Sequence, residues 1–197
     1  EKDRHPSVHC FPSSVDASHF ARGVGEHPLQ AHLPKPRLGW CGVIDERVDL
    51  ALVAFLADMR PDWQLVMVGP VAKIEESSLP QRENIHYLGQ QPYEKLPQFL
   101  AAWDVCLMPF ALNDATRFIS PTKSLEYMAA ELPVVSTAVP DVVSQHADVI
   151  AIARSHAEFI AHCQRALALP AGARRKMIRQ MHAKLAATSW DATADMM

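Results

Sequence analysis

The sequence predicts an α/β chain: a doubly wound, Rossmann-like parallel sheet followed by C-terminal helices. Three observations predict it. From Arg37 onward, short apolar runs of strand length alternate with amphipathic stretches; the connections between them are short; and Gly or Pro closes several of the runs, as in Val68-Gly69-Pro70 and Leu88-Gly89. Such alternation is the pattern of parallel strands covered on both faces by helices, and the right-handed crossover rule makes the sheet doubly wound.

Each element has its own reason. Residues 1–36 are rich in Pro, His, Ser and charge, with one short strand candidate at Val8 to Phe11, and they carry no core of their own. Gly23 and Gly25 form a GxG without a third glycine or a strand-to-helix context, so they are no dinucleotide fingerprint. Leu38 to Ile44 reads as the first strand. Val48 to Met59 reads as a helix with Leu52, Phe55, Leu56 and Met59 inward. Gln64 to Val68 is a second strand and, after a polar stretch, Ile85 to Leu88 a third. A helix from about Tyr93 to Trp103 leads to the strand Val105 to Pro109. Ser120 suits an N-cap and Pro121 a first helical position, so a helix is expected from Pro121, with Leu125, Met128, Ala129 and Leu132 on its buried face. Pro133 ends it, strand Pro133 to Ser136 follows, and Val149 to Ile152 is the last strand. Ser155 caps a helix to about Leu169, Pro170 opens another through Ala187, and Ser189-Trp190-Asp191 starts a final short piece. The cations Arg174, Arg175, Lys176 and Arg179 read as a solvated helix face, with a phosphate or acidic-lipid patch as the alternative.

Composition removes several function classes. Over 197 residues, 49% are hydrophobic and 21% charged, which is ordinary globular material. The formal charge of -3 argues against a general polyanion or nucleic-acid surface. No apolar run approaches the roughly 18 to 20 residues of a membrane span, and no signal peptide opens the chain. Its start at Glu1 suggests a fragment. Cys10, Cys41, Cys106 and Cys163 lie far apart without a CxxC pair, so they read as buried thiols in a reducing compartment. The 10 histidines show no HExxH and no ligand spacing, so no metal is expected.

In a doubly wound sheet, ligands bind at the carboxyl ends of the strands near the switch point. That edge gathers Gly42 to Arg47, Gly69-Pro70, Gly89 to Pro92, Phe110 to Ser120 and Thr137 to Pro140. The stretch Phe118 to Thr137, FISPTKSLEYMAAELPVVST, carries the chemistry. Free amides at a helix start suit phosphate, Lys123 adds a charge in the same turn, and Glu126 can accept two hydrogen bonds from a sugar diol. A Lys and a Glu three apart also describe a solvated surface pair. Arg47 has a planar fork suited to phosphate oxygens, or it pairs with Asp45 or Glu46. Asn113, Asp114 and Arg117 offer polar groups on the long loop before the helix.

This stretch resembles the donor-binding motif of retaining GT-B glycosyltransferases (group 1, family 4-like), in which a glutamate-bearing helix leads into a proline and an apolar strand, as EYMAAELPVVST does. The string VHCFPSSVDASHF resembles the crossover between the two domains of those enzymes, and SWDATADMM their C-terminal tail. The resemblance implies a single GT-B half-domain: crossover at 1–36, nucleotide-sugar-binding domain at 37–187, and a tail at 188–197 returning towards an N-terminal acceptor domain that this chain lacks. It implies that Ser120, Thr122, Lys123 and Arg47 meet a diphosphate, that Glu126 holds the ribose hydroxyls, and that Gly89 and Gln90 border the base. The family's first glutamate, which touches the transferred sugar, falls on Phe118, leaving Asn113, Asp114 or Arg117 to stand in. The implied activity is transfer of a hexose from a nucleotide-diphosphate sugar to an acceptor hydroxyl with retention, as in polysaccharide biosynthesis, with no cofactor and no catalytic metal and with little turnover by the fragment alone. A GT-B epimerase and a non-catalytic nucleotide-binding module blocked by Phe118 or Arg117 are the alternatives. The expected location is cytoplasmic, with a peripheral place at the inner membrane face open for the full-length protein.

Overall fold

The computed structural model describes residues 8, 13–21, 25–120, 122–186, 188 and 194. The strand expected at Val8 to Phe11, the piece at Ser189 to Asp191, Cys10, Gly23 and Pro121 lie outside them, wholly or in part. Six parallel strands form one sheet: β1 (Arg37–Cys41), β2 (Gln64–Val68), β3 (Ile85–Tyr87), β4 (Val105–Met108), β5 (Val134–Thr137) and β6 (Ala151–Ala153). Their order is β3-β2-β1-β4-β5-β6, so the chain winds outward twice from the centre and the switch point lies between β1 and β4.

Helices cover both faces. On one, α2 (Leu50–Met59) packs with α6 (His156–Leu167). The other carries α1 (Ala17–Phe20), α3 (Leu96–Leu100), α4 (Lys123–Ala129) and α7 (Ala171–Ala186), while α5 (Pro140–His146) follows β5. The strands are buried almost throughout, which is why they read as continuous apolar runs. Residues 13–20 and 25–36 pack on this body: Val15, Phe20 and Leu33 join its core. Gln30 is buried, bonding the Phe99 carbonyl (2.9 Å) and accepting from the Trp103 indole N–H (3.0 Å).

Several expectations change. The first strand stops at Cys41 rather than Ile44, because Gly42 turns to φ +151°. In α2, Asp49 caps the helix through Leu52, and the inward residues are Leu52, Val53, Leu56 and Ala57; Met59 is 57% exposed and Phe55 half-buried. Leu50 to Met59 is apolar nearly all round, so its period does not choose a face. The helix expected through Trp103 covers only Leu96–Leu100, preceded by a 3-10 turn at Tyr93–Lys95 where Pro97 sets the start. The stretch at Thr137 to Pro140 is not all loop: Pro140 takes the first turn of α5. Strand β6 begins at Ala151 and ends at Ala153, later than Val149 to Ile152. Cys41, Cys106 and Cys163 are buried free thiols, and among the described residues no helix is long and apolar enough to cross a membrane.

Candidate functional site

The sheet opens where β1 leaves β4. Only Leu38 and Gly39 of β1 pair with β4, at Val105 and Cys106. Beyond them the Cys41 N–H donates instead to the Tyr127 hydroxyl on α4, at 2.8 Å, and Tyr127 is fully buried. This bond replaces the missing strand partner and ties α4 to the carboxyl end of β1. The sequence reading gives Tyr127 no role, and nothing in its neighbourhood in the chain reveals the bond.

A cavity of about 200 Å³ lies at this switch point, lined by Trp40, Val43, Arg47, Phe110, Ile119, Ser120, Thr122 and Lys123. Trp40 and Phe110 meet edge to face at 5.3 Å. The structure thus brings four of the sequence-predicted residues together: Arg47 from the β1 loop, and Ser120, Thr122 and Lys123 from the approach to α4. The helix starts later than expected, at Lys123, with the Thr122 carbonyl accepting from Leu125 and Glu126; Ser120 is not its cap.

Two cations reach the cavity in different ways. Lys123 lies across Gly42, with its ammonium 5.1 Å from the centre of the Trp40 ring, and forms no ion pair among the described residues. Arg47 is paired with Asp45: its Nε is 3.0 Å from both carboxylate oxygens and Nη2 is 2.6 Å from Oδ2. Asp45 is buried. Burial alone would raise its carboxyl, but the bonds from Arg47 outweigh it and hold the pKa below the usual range. The ion pair foreseen as the alternative for Arg47 is therefore present, and it leaves the Nη1 edge of the guanidinium without a partner among the described residues.

Glu126 sits one turn beyond Lys123, half-buried, its carboxylate hydrogen-bonded to none of the described residues. Burial raises its pKa, against the pull of Lys123 and His19. Gly89 and Gln90 lie at the end of β3, both exposed. Gly89 lines a separate groove of about 550 Å³ with Ile44, Pro70 and Tyr87, and not the Lys123 cavity. Asn113, Asp114 and Arg117 line a third hollow, about 320 Å³, with Ala138 and Pro140. Within it Asn113 is committed to the loop, donating to the Glu46 carbonyl at 2.9 Å and accepting from the Thr116 N–H. Arg117 lies over the ring of Phe118, which is 83% exposed.

The profile of the family described as glycosyl transferases group 1 matches residues 35–168. TuaH of Bacillus subtilis (strain 168), whose name assigns it provisionally to teichuronic acid biosynthesis as a glycosyltransferase, is 28% identical over 106 residues; the match covers 52% of this chain and 27% of TuaH. The C-terminal domain of a glycosyl transferase group 1 family protein, LpcC, from Francisella tularensis has a TM-score of 0.61 at 16% identity, over 88% of this chain and 97% of that domain. Sucrose-phosphate synthase from Thermosynechococcus elongatus has a TM-score of 0.67 at 21% identity, over 93% of this chain and 49% of the synthase. At these identities the structural likeness shows the fold, that of a GT-B half-domain. The chain spans about a quarter of its curated relative and about half of the synthase.

Proposed function

The chain belongs to the glycosyl transferases group 1 family, and from that premise we propose that it is the donor-binding half of a retaining glycosyltransferase, holding a nucleotide-diphosphate sugar for transfer to an acceptor hydroxyl. One observation carries the reading: a lysine without an ion pair among the described residues and the open edge of an arginine line one cavity at the switch point of the sheet. A lysine with no ion partner among the described residues and an arginine whose Asp45 pairing leaves one guanidinium edge open, both in a cavity lined by aromatic rings, suit the oxygens of a diphosphate.

In this proposal Lys123 and Arg47 take the diphosphate oxygens, with the Ser120 and Thr122 hydroxyls as further donors. Their charge stabilises the leaving nucleotide as the glycosidic bond breaks, a preorganised electrostatic contribution. Glu126, one turn on, accepts from the ribose diol, and Gly89 and Gln90 border the base. The substrate is the nucleotide sugar, and the cations meet the leaving-group charge without a bound cofactor. Asn113, Asp114 and Arg117 stand at the transferred sugar, where Phe118 offers no carboxylate. The acceptor is brought by a second domain of a longer polypeptide, a reading supported by the share of the relatives that this chain spans. A blocked, non-catalytic site is less well supported, since neither Phe118 nor Arg117 lines the Lys123 cavity.

Calorimetric titration with UDP, GDP and their sugar conjugates tests the proposal. One nucleotide binds saturably, and Lys123→Ala weakens it by about tenfold or more, the worth of a charged hydrogen bond; Glu126→Ala weakens the nucleotide and spares pyrophosphate. Binding that ignores both substitutions rules out this site.

A further inference from the structure

Beside Glu126 the crossover segment and the β3 loop build an aromatic stack that the donor motif does not contain. The rings of His19, on α1, and Tyr93, which follows the turn Gly89 to Pro92, lie parallel at 4.2 Å and 8°. The stack is held by a hydrogen bond of 3.0 Å from His19 Nε2 to the Tyr93 carbonyl. A carbonyl only accepts, so Nε2 carries the proton. Phe20 is perpendicular to both rings, 4.8 Å from His19 and 5.6 Å from Tyr93. Being nearer to His19, it lies alongside the stack and not on the far face of Tyr93. Tyr93 is nonetheless 48% exposed, and neither His19 nor Phe20 covers its far face. The Glu126 carboxylate is near enough to help raise the Tyr93 phenol, behind burial as the larger cause, and His19 in turn draws the Glu126 carboxyl down.

We propose that the open face of Tyr93, backed by His19, is the platform on which the base of the bound nucleotide stacks. The inference rests on the donor reading and deepens it. With the diphosphate at Lys123 and the ribose one helical turn along α4 at Glu126, the base extends from the ribose away from the phosphates. Tyr93 is an exposed aromatic group within electrostatic reach of Glu126. A tyrosine already stacked and hydrogen-bonded through its main chain loses little freedom on binding, and base–aromatic stacking tolerates any base. Selection among bases then falls to polar groups at the rim, and the crossover segment becomes part of the nucleotide site through His19.

Titration of the chain with UDP, GDP and inorganic pyrophosphate tests this, using Tyr93→Ala, Tyr93→Phe and Lys123→Ala, each checked for native circular dichroism. Tyr93→Ala weakens the nucleoside diphosphate about tenfold, within the range of a lost base stack, and leaves pyrophosphate unchanged; Tyr93→Phe retains the affinity. An equal loss for pyrophosphate, or no loss for the nucleotide, overturns the platform while the Lys123→Ala effect still upholds the donor site. If the unaltered chain binds no nucleoside diphosphate, the donor reading and the platform fall together.

Discussion

Two residues decide how the cations stand in the cavity. Gly42 is one: a Cβ there would come within 2.1 Å of Lys123 Cε and 2.6 Å of Nζ, at a φ of +151° that side chains avoid. The lysine tail is flexible and can swing aside, so Gly42→Ala costs the fold the backbone strain and a tight contact of 3.3 Å with the Trp40 ring, about 1–3 kcal/mol in all. It displaces the ammonium from its place over Trp40, and nucleotide affinity falls as far as it does in Lys123→Ala. Chemical denaturation and titration of the same variant separate the two effects; a variant that binds as before would show that Lys123 does not act from this position. Asp45 is the other. Its folded pKa is held below the unfolded value of about 3.9 by Arg47. The stability it contributes is therefore complete above about pH 4 and is lost as pH falls through the depressed folded value. Urea midpoints across the acid range should drop more steeply for the parent chain than for Asp45→Asn. Parallel curves would mean that the pair does not report on folding.

At the scale of elements, the bond between β1 and α4 matters most. Tyr127→Phe leaves the Cys41 N–H buried without an acceptor, at a cost of about 1–3 kcal/mol, and loosens the helix that carries Lys123 and Glu126. Thermal denaturation and nucleotide titration should both register it; a neutral outcome would place the anchoring of α4 elsewhere. Gly39 shows the same economy of space, since the Trp103 indole occupies the place its Cβ would take, at 2.0 Å. Such contacts explain what the sequence made legible. Strands β1, β2 and β4 were readable because an apolar run between Gly or Pro boundaries has few other uses. The inward face of α2 was not, because apolar residues surround it. Helix α5 carried its signal in Pro140 and Asp141, yet it is too short to show a period. Within the site, Lys123 and Glu126 stand out locally, whereas His19 and Tyr93 meet across 74 positions and no local pattern joins them.

The whole molecule joins these parts through strand order. Because β1 and β4 are neighbours and their connections run in opposite directions, the loops after them part and leave the crevice that Arg47 and Lys123 line. The walls of that crevice are tied by main-chain bonds between distant loops: Asp49 N–H to the Pro109 carbonyl at 2.8 Å, and Ala111 N–H to the Arg47 carbonyl at 2.9 Å. A ligand held there therefore contacts segments that separate when the sheet unfolds, and binds the native chain alone. By linkage, a nucleoside diphosphate at about a hundred times its Kd stabilises the fold by about 2.7 kcal/mol. In a chain of 197 residues this corresponds to a rise in Tm of roughly 5–10 °C. The rise should grow with the logarithm of ligand concentration and shrink in Lys123→Ala. A Tm that stays fixed across UDP and GDP, in a chain with a cooperative melt, would show that the crevice binds neither nucleotide in the isolated chain. A rise that Lys123→Ala leaves intact would move the nucleotide to another part of the sheet edge.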